Sequence, residues 1–179
     1  EVKQYFENEK IETYNDAIKN IIENEKLDKT KINILMAHQF VTSGTTNPET
    51  CESETINVGG LDNVDASNFS EFDYVALGHI HGPQKIGEEK IRYSGTMLKY
   101  SFSEVNHHKS VVIIEIKNGK VDFKLEPLIP LRDMRKIQGP IEELVKKENY
   151  EGTNQQDYIK AIITNEEAIY DAIGQIRKI

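Results

Sequence analysis

The chain has 179 residues, 37% of them hydrophobic and 29% charged, with no Trp and a net charge of -8. That length allows one good-sized domain, or one plus a small second, and the acidic balance argues against a general electrostatic hold on nucleic acid, which runs through Lys and Arg on phosphates. The single cysteine, Cys51, excludes an intrachain disulfide and fits a reducing, cytoplasmic compartment; no stretch is apolar for long enough to cross a membrane, and no signal peptide is visible.

Tyr14, Ala17, Ile18, Ile21 and Ile22 place one apolar stripe on a helix over Tyr14–Asn24, with Asn15 or Asp16 as its cap. The run Ile32–Ala37 is short, apolar and bounded by polar residues, which suits a buried strand; it ends at His38. Residues 41–64 are rich in Thr, Ser, Asn, Gly and Glu and read as one long loop, of a length that is either functional or disordered. Phe72–Leu77 reads as a second buried strand and runs into Gly78-His79-Ile80-His81-Gly82-Pro83. Lys85–Tyr93 suits a hairpin around Gly87-Glu88-Glu89. A stronger hairpin joins Val111–Ile116 to Val121–Leu125 across Asn118-Gly119, a dipeptide suited to a tight primed turn.

The texture changes after Pro127 and Pro130, which predicts a boundary dividing residues 1–130 from a small α+β unit over 131–179. Within that tail the pattern predicts a strand at Met134–Gln138, a helix at Pro140–Lys147, a strand at Tyr158–Thr164 and a helix at Glu166–Lys178. Pro140 suits a first helical turn and Asn165 suits the cap of the last helix. The chain opens on Glu1 rather than Met and closes at the end of a helix, so both ends read as cuts within a longer protein.

Of the five histidines, three sit where chemistry is usually placed. His38 ends one predicted strand, and His79 and His81 follow another; ligands in open α/β sheets gather outside the carboxyl ends of strands. Residues i and i+2 of an extended segment project to one side, so the His-x-His pair can address one metal or two neighbouring ones. Gly78 and Gly82 let the backbone turn beside such a cluster. A nearby pair of histidines is more often surface polarity than a ligand set, and a lone His38 more often bonds backbone. The apolar runs and flanking glycines are what favour the metal reading. His107 and His108 fall in the polar connection Ser103–Lys109 and read as exposed loop residues.

Taken in order, Ala37-His38, then Asp73-Tyr74-Val75-Ala76-Leu77-Gly78-His79-Ile80-His81, then Ile91-Arg92-Tyr93-Ser94-Gly95-Thr96, then Ser101-Phe102-Ser103-Glu104, the chain resembles the calcineurin-like metallophosphoesterases. Within them it is most similar to the SbcD-type DNA nuclease subunits. The Gly-His-x-His element marks the superfamily; the Arg-Tyr-Ser-Gly-Thr and Ser-Phe-Ser-Glu pieces point to SbcD. The resemblance is clearest from Ile32 to Leu131 and weaker in the tail, which is similar to that family's capping domain.

The resemblance implies an α/β fold, the C-terminal part of a two-sheet sandwich with flanking helices, followed by a small α+β capping domain. It implies two divalent metal ions, manganese by preference, with His38 and His79 on one and His81 on the other. It implies metal-dependent exonuclease and endonuclease action on double-stranded DNA ends and hairpins, a place in DNA repair and recombination, an SbcC-type ATPase partner and a homodimeric parent complex. The family's Asp-x-His, Gly-Asp-x-x-Asp and Gly-Asn-His-Asp/Glu motifs are absent from this sequence. The bridging aspartate and the proton-donating histidine are therefore expected before Glu1, no catalytic residue is assigned here, and the isolated chain is expected to be inactive, a truncated form or a proteolytic remnant. Two alternatives stand beside this reading: a phosphoprotein or nucleotide phosphoesterase on the same scaffold, and a non-catalytic folded module.

Overall fold

A computed structural model describes residues 2–6, 11–54 and 62–177. The helical signal near its start holds in its bounds but not in its N-cap residue. Helix α1 (Val2–Tyr5) precedes α2 (Tyr14–Asn24), whose bounds match the apolar stripe. The N-cap is Thr13, and of the two expected contributors Asp16 does help cap the start while Asn15 does not: Thr13 accepts from the Asp16 backbone N–H, and Asp16 accepts in return from the backbone N–H of Thr13. This reciprocal capping box satisfies orphan donors at both positions, which an N-cap two or three residues later would leave open. Asn15 instead accepts from the Asp65 N–H and the Asn68 side chain.

The apolar runs Ile32–Ala37 and Phe72–Leu77 each yield a strand, though the first, expected to be buried, alternates exposed and half-buried residues, and four further strands flank them. The six are β1 (Ile34–His38), β2 (Phe40–Thr42), β3 (Asn63–Asp65), β4 (Tyr74–Gly78), β5 (Gln84–Ile86) and β6 (Glu88–Tyr93). A four-stranded sheet runs in the order β1-β4-β6-β5. The β1–β4 and β4–β6 pairs are parallel, and β5 turns back antiparallel on β6 at Gly87, whose φ is +66°. The predicted loop over 41–64 is bracketed by strand: β2 and β3 pair in parallel, so Val41 and Val64 reach the core from its two ends. Residues 55–61 of that loop lie outside the described residues. Val75, Leu77, Ile80, Ile91 and Phe69 are each at most 2% exposed, and Ile18 and Ile22 of α2 pack against this cluster. Each such side chain contributes on the order of 1.5–3 kcal/mol on burial.

Strands β7 (Ser110–Lys117) and β8 (Lys120–Pro127) make the predicted hairpin, with Asn118 at φ +51° and Gly119 at +74°, the left-handed pair that a primed turn requires. Phe123 of β8 lies over the Arg92 guanidinium at 4.5 Å and 6.2 Å from the Tyr74 ring. Strands β9 (Met134–Gly139) and β10 (Tyr158–Ile163) pair in parallel.

The tail helices are shorter than their patterns. The stretch expected to be one helix over Pro140–Lys147 is two single turns, α3 (Ile141–Leu144) and α4 (Lys147–Tyr150), separated by an extended Lys146. Only Ile141 is buried there, so nothing packs to propagate a longer helix. The helix expected over Glu166–Lys178 is α5 (Ala172–Ile176), with Lys178 outside the described residues. Tyr170 is 92% exposed and Ile173 68%, so the apolar stripe there finds no face to bury. Asp171 caps α5, and Asn165 instead accepts from the Ile141 N–H at 2.8 Å, anchoring α3.

The chain divides into two compact units, one of Glu1–Met97 with His107–Leu128 and the other of Leu98–Asn106 with Ile129–Ile179. The second unit therefore includes the Ser101–Glu104 piece, which the sequence boundary near Pro130 left with the first. Lys99 binds it together, bonding Asp133 at 2.8 Å and the Val105 carbonyl at 2.9 Å. Arg135 and Asp157 form a second pair at 2.9 Å. The fold is mixed α/β, built of small sheets and short helices. No helix among the described residues is long and apolar enough to cross a membrane.

Candidate metal centre

Parallel pairing in register sets His38 beside Gly78, the last residues of β1 and β4. The next residue, His79, then meets His38 edge-on, with ring centroids 5.4 Å apart and planes at 77°. Gly78 is needed for this. A Cβ there would lie 2.7 Å from His38 Nδ1. His79 adopts φ +97°, outside the region that side chains favour; backbone strain of this kind persists where the surroundings hold it and collects at functional sites. Ile80, 1% exposed, plugs into the core directly after it. Burial depresses the His79 pKa below the usual imidazole value, and the neighbouring His38 pushes it the same way against the pull of Glu54 and Asp62. A neutral imidazole is the form that ligates a metal.

His81 is held differently. Its Nδ1 lies 3.0 Å from Ser53 Oγ, and its backbone N–H donates to Glu54 Oε1 at 2.5 Å. The other Glu54 oxygen accepts from the Cys51 N–H at 2.9 Å. On the opposite side, the His81 carbonyl accepts from Lys109 Nζ at 2.9 Å and from the Thr96 N–H at 3.1 Å. Lys109 is 6% exposed and reaches Thr96 Oγ1 as well. Gly95, at φ +75°, makes that approach possible: a Cβ would lie 2.8 Å from the His81 carbonyl.

The structure thus brings His38 and His79 together, while potential ligand atoms of His81 fall within 4.8 Å of those of Cys51 and Glu54. Both Glu54 oxygens accept backbone N–H groups, so this second cluster is a hydrogen-bonded frame around His81 more than a ligand set. No sequence signal singles out Ser53, Glu54 or Lys109, because polar residues in a loop carry no period; the length of the loop over 41–64 was the one pointer. His107 corrects an expectation. It is half-buried against Gly82, with Nδ1 3.4 Å from Lys109 Nζ, whereas His108 is exposed as expected.

Residues 130–179 match the family model described as the type 5 capsule protein repressor C-terminal domain. Over 183 aligned residues the chain is 36% identical to the SbcD subunit of the nuclease SbcCD from Staphylococcus epidermidis, covering all of this chain and 48% of that protein. Against the SbcD subunit of the same nuclease from Staphylococcus saprophyticus it is 34% identical over 182 residues, covering 47% of that protein. The chain spans about half the length of these curated relatives.

Proposed function

Because this chain belongs to the SbcD family, we propose that it supplies the C-terminal part of a metal-dependent nuclease subunit acting on double-stranded DNA ends and hairpins. The observation that carries this is the meeting of His38 and His79 at the carboxyl ends of adjacent parallel strands. Donor chemistry fits a divalent first-row ion: the imidazoles are nitrogen ligands, and burial favours the neutral form of His79. His38 and His79 would hold one ion and His81 the other. When bound, two such ions, manganese by preference, would supply a water nucleophile and neutralise charge on the phosphate. This chain's residues contribute placement: β1 and β4 bring the His38 and His79 rings to 5.4 Å between centroids, and Ile80 anchors the turn that carries His81.

On the same reading, the small sheets of unit one are the C-terminal share of a calcineurin-like sandwich, and residues 131–179 are the capping domain. An SbcC-type ATPase is the partner, the parent assembly is a homodimer, and the single cysteine fits a reducing cytoplasm. With a net charge of -8, contact with DNA would be local and metal-centred. The test compares this chain with a form extended at its N-terminus to the length of the staphylococcal relatives, on a labelled DNA hairpin with manganese. Cleavage is expected from the extended form alone, and lost on His81→Ala. Turnover of a small phosphoester with intact DNA would replace the nuclease reading by a phosphoesterase one.

A further inference from the structure

In the second unit, the parallel pair β9 and β10 leaves one of its faces open. Alternate residues of a strand share a face, and the pairing sets Tyr158 beside Met134, Lys160 beside Lys136 and Ile162 beside Gln138. Five of these six are exposed, Tyr158 to 54%, and none of the six is acidic. The intervening Ile137, Ile159, Ala161 and Ile163 are half-buried, so the apolar face of the pair is the other one. Lys136 and Lys160 are direct cross-strand neighbours, on strands about 4.8 Å apart. Like charges set opposite one another destabilise a sheet. Elsewhere exposed lysines find carboxylates, as Lys19 does at Glu23 and Lys147 at Glu151. Among the described residues, Lys136 and Lys160 make no ion pair. We propose that this open face of β9 and β10 binds an unpaired nucleic-acid strand, with Lys136 and Lys160 on its phosphates and Tyr158 stacking on a base.

Charge complementarity and shape choose the occupant. Two neighbouring ammonium groups without a counter-charge call for an anion, and a phosphodiester backbone repeats its charge along the strand. An acidic peptide would answer the lysines but offer the exposed Tyr158 ring no flat partner. A duplex keeps its bases inside the stack, beyond the reach of a ring lying on a sheet face. An unpaired strand offers both phosphates and free base faces, and stacking on an aromatic ring accepts any base. The chain's net charge of -8 rules out a general attraction, so such affinity has to be local, and Lys136 and Lys160 supply that locality.

Binding here needs no metal and no cleavage, so its test is separate from that of the nuclease reading. Fluorescence anisotropy of a labelled oligothymidylate of about a dozen nucleotides, titrated with this chain at low salt and without metal, reads it directly. Affinity should fall as salt is added. Lys136→Gln and Lys160→Gln should each weaken binding and reduce the slope against the logarithm of salt by about 0.7. Tyr158→Leu should weaken it about tenfold, and Tyr158→Phe should keep it. Lys124→Gln removes the same charge from exposed β8, where Lys124 faces Glu126, and should leave binding as it was. Melting is read on every variant: Lys160→Gln relieves a repulsion, so its melting temperature should not fall, which separates lost affinity from lost fold. Binding that survives both lysine substitutions, that ignores Tyr158→Leu, or that a duplex of the same length matches overturns the proposal. Equal competition by polyglutamate overturns it as well, and makes the face a seat for acidic protein segments.

Discussion

Tyr93 shows how a single residue holds the segment that follows His38. Its hydroxyl accepts from the Val41 N–H at 2.6 Å and donates to the Gln39 carbonyl at 3.0 Å, so both backbone groups are satisfied by one side chain inside the core. Tyr93→Phe removes both bonds at a buried position and should cost about 1–3 kcal/mol in denaturant unfolding. Burial pushes the Tyr93 pKa up to about 12 from its ordinary 10.0, with Glu54 adding to the rise and the Val41 bond opposing it. The folded pKa is the higher one. Its contribution to stability is therefore complete below about pH 10 and drains away as pH climbs toward 12. The stability gap between wild type and Tyr93→Phe should narrow across that window; a gap that stays constant would show that the hydroxyl ionises freely in the fold. His79 is shifted the other way, by burial first and by His38 second.

At the scale of elements, the pairing of β1 with β4 decides where the imidazoles meet. Gly78→Ala puts a methyl 2.7 Å from His38 Nδ1, so the ring or the strand must move. Overpacking of this kind should cost about 1–3 kcal/mol, and the ring resonances of His38 and His79 should both shift. Gly82→Ala is the control, since its methyl meets His107 at 3.3 Å and leaves His38 alone. Equal disturbance of His38 by both substitutions would detach the site from the β1–β4 register. These strands were legible from sequence because Ile34–Ala37 and Tyr74–Leu77 are apolar runs with chemistry at their ends. The Asn118-Gly119 turn was legible because two consecutive left-handed residues have few sequence solutions. The tail helices were not, because Tyr170 and Ile173 show helical spacing yet stay exposed, and periodicity alone cannot report a missing partner. Asn165 misled for a related reason: its side chain caps a helix start, but across space at Ile141. Glu54 and Lys109 found their roles only through contacts 27 and 28 residues away, which no local pattern encodes.

For the whole molecule, the telling surface is β1 itself. Parallel sheets ordinarily have both faces covered, yet β1 alternates exposed and half-buried residues, with Met36 83% exposed and Ile34 40% exposed. Among the described residues, β4 is its one strand partner, so β1 forms an open edge of the four-stranded sheet. An apolar, unpaired edge invites pairing with another chain. This chain spans 48% of its Staphylococcus epidermidis relative, and the expectation is that the further length of such a protein covers that edge. Met36→Lys tests the idea by placing a charge where the cover would lie. In this chain the substitution should change stability by no more than about 0.5 kcal/mol, because the position is solvent-facing. In the extended form it should destabilise by several-fold more, about 1–3 kcal/mol, as an unpaired charge is pressed against apolar surface. Sedimentation supplies the second reading: the isolated chain should self-associate through β1, the Met36→Lys variant less so, and the extended form should not use this edge. Equal tolerance of the charge in both forms would leave Met36 an exposed residue of the complete protein, and the second half of the sheet would have to lie elsewhere.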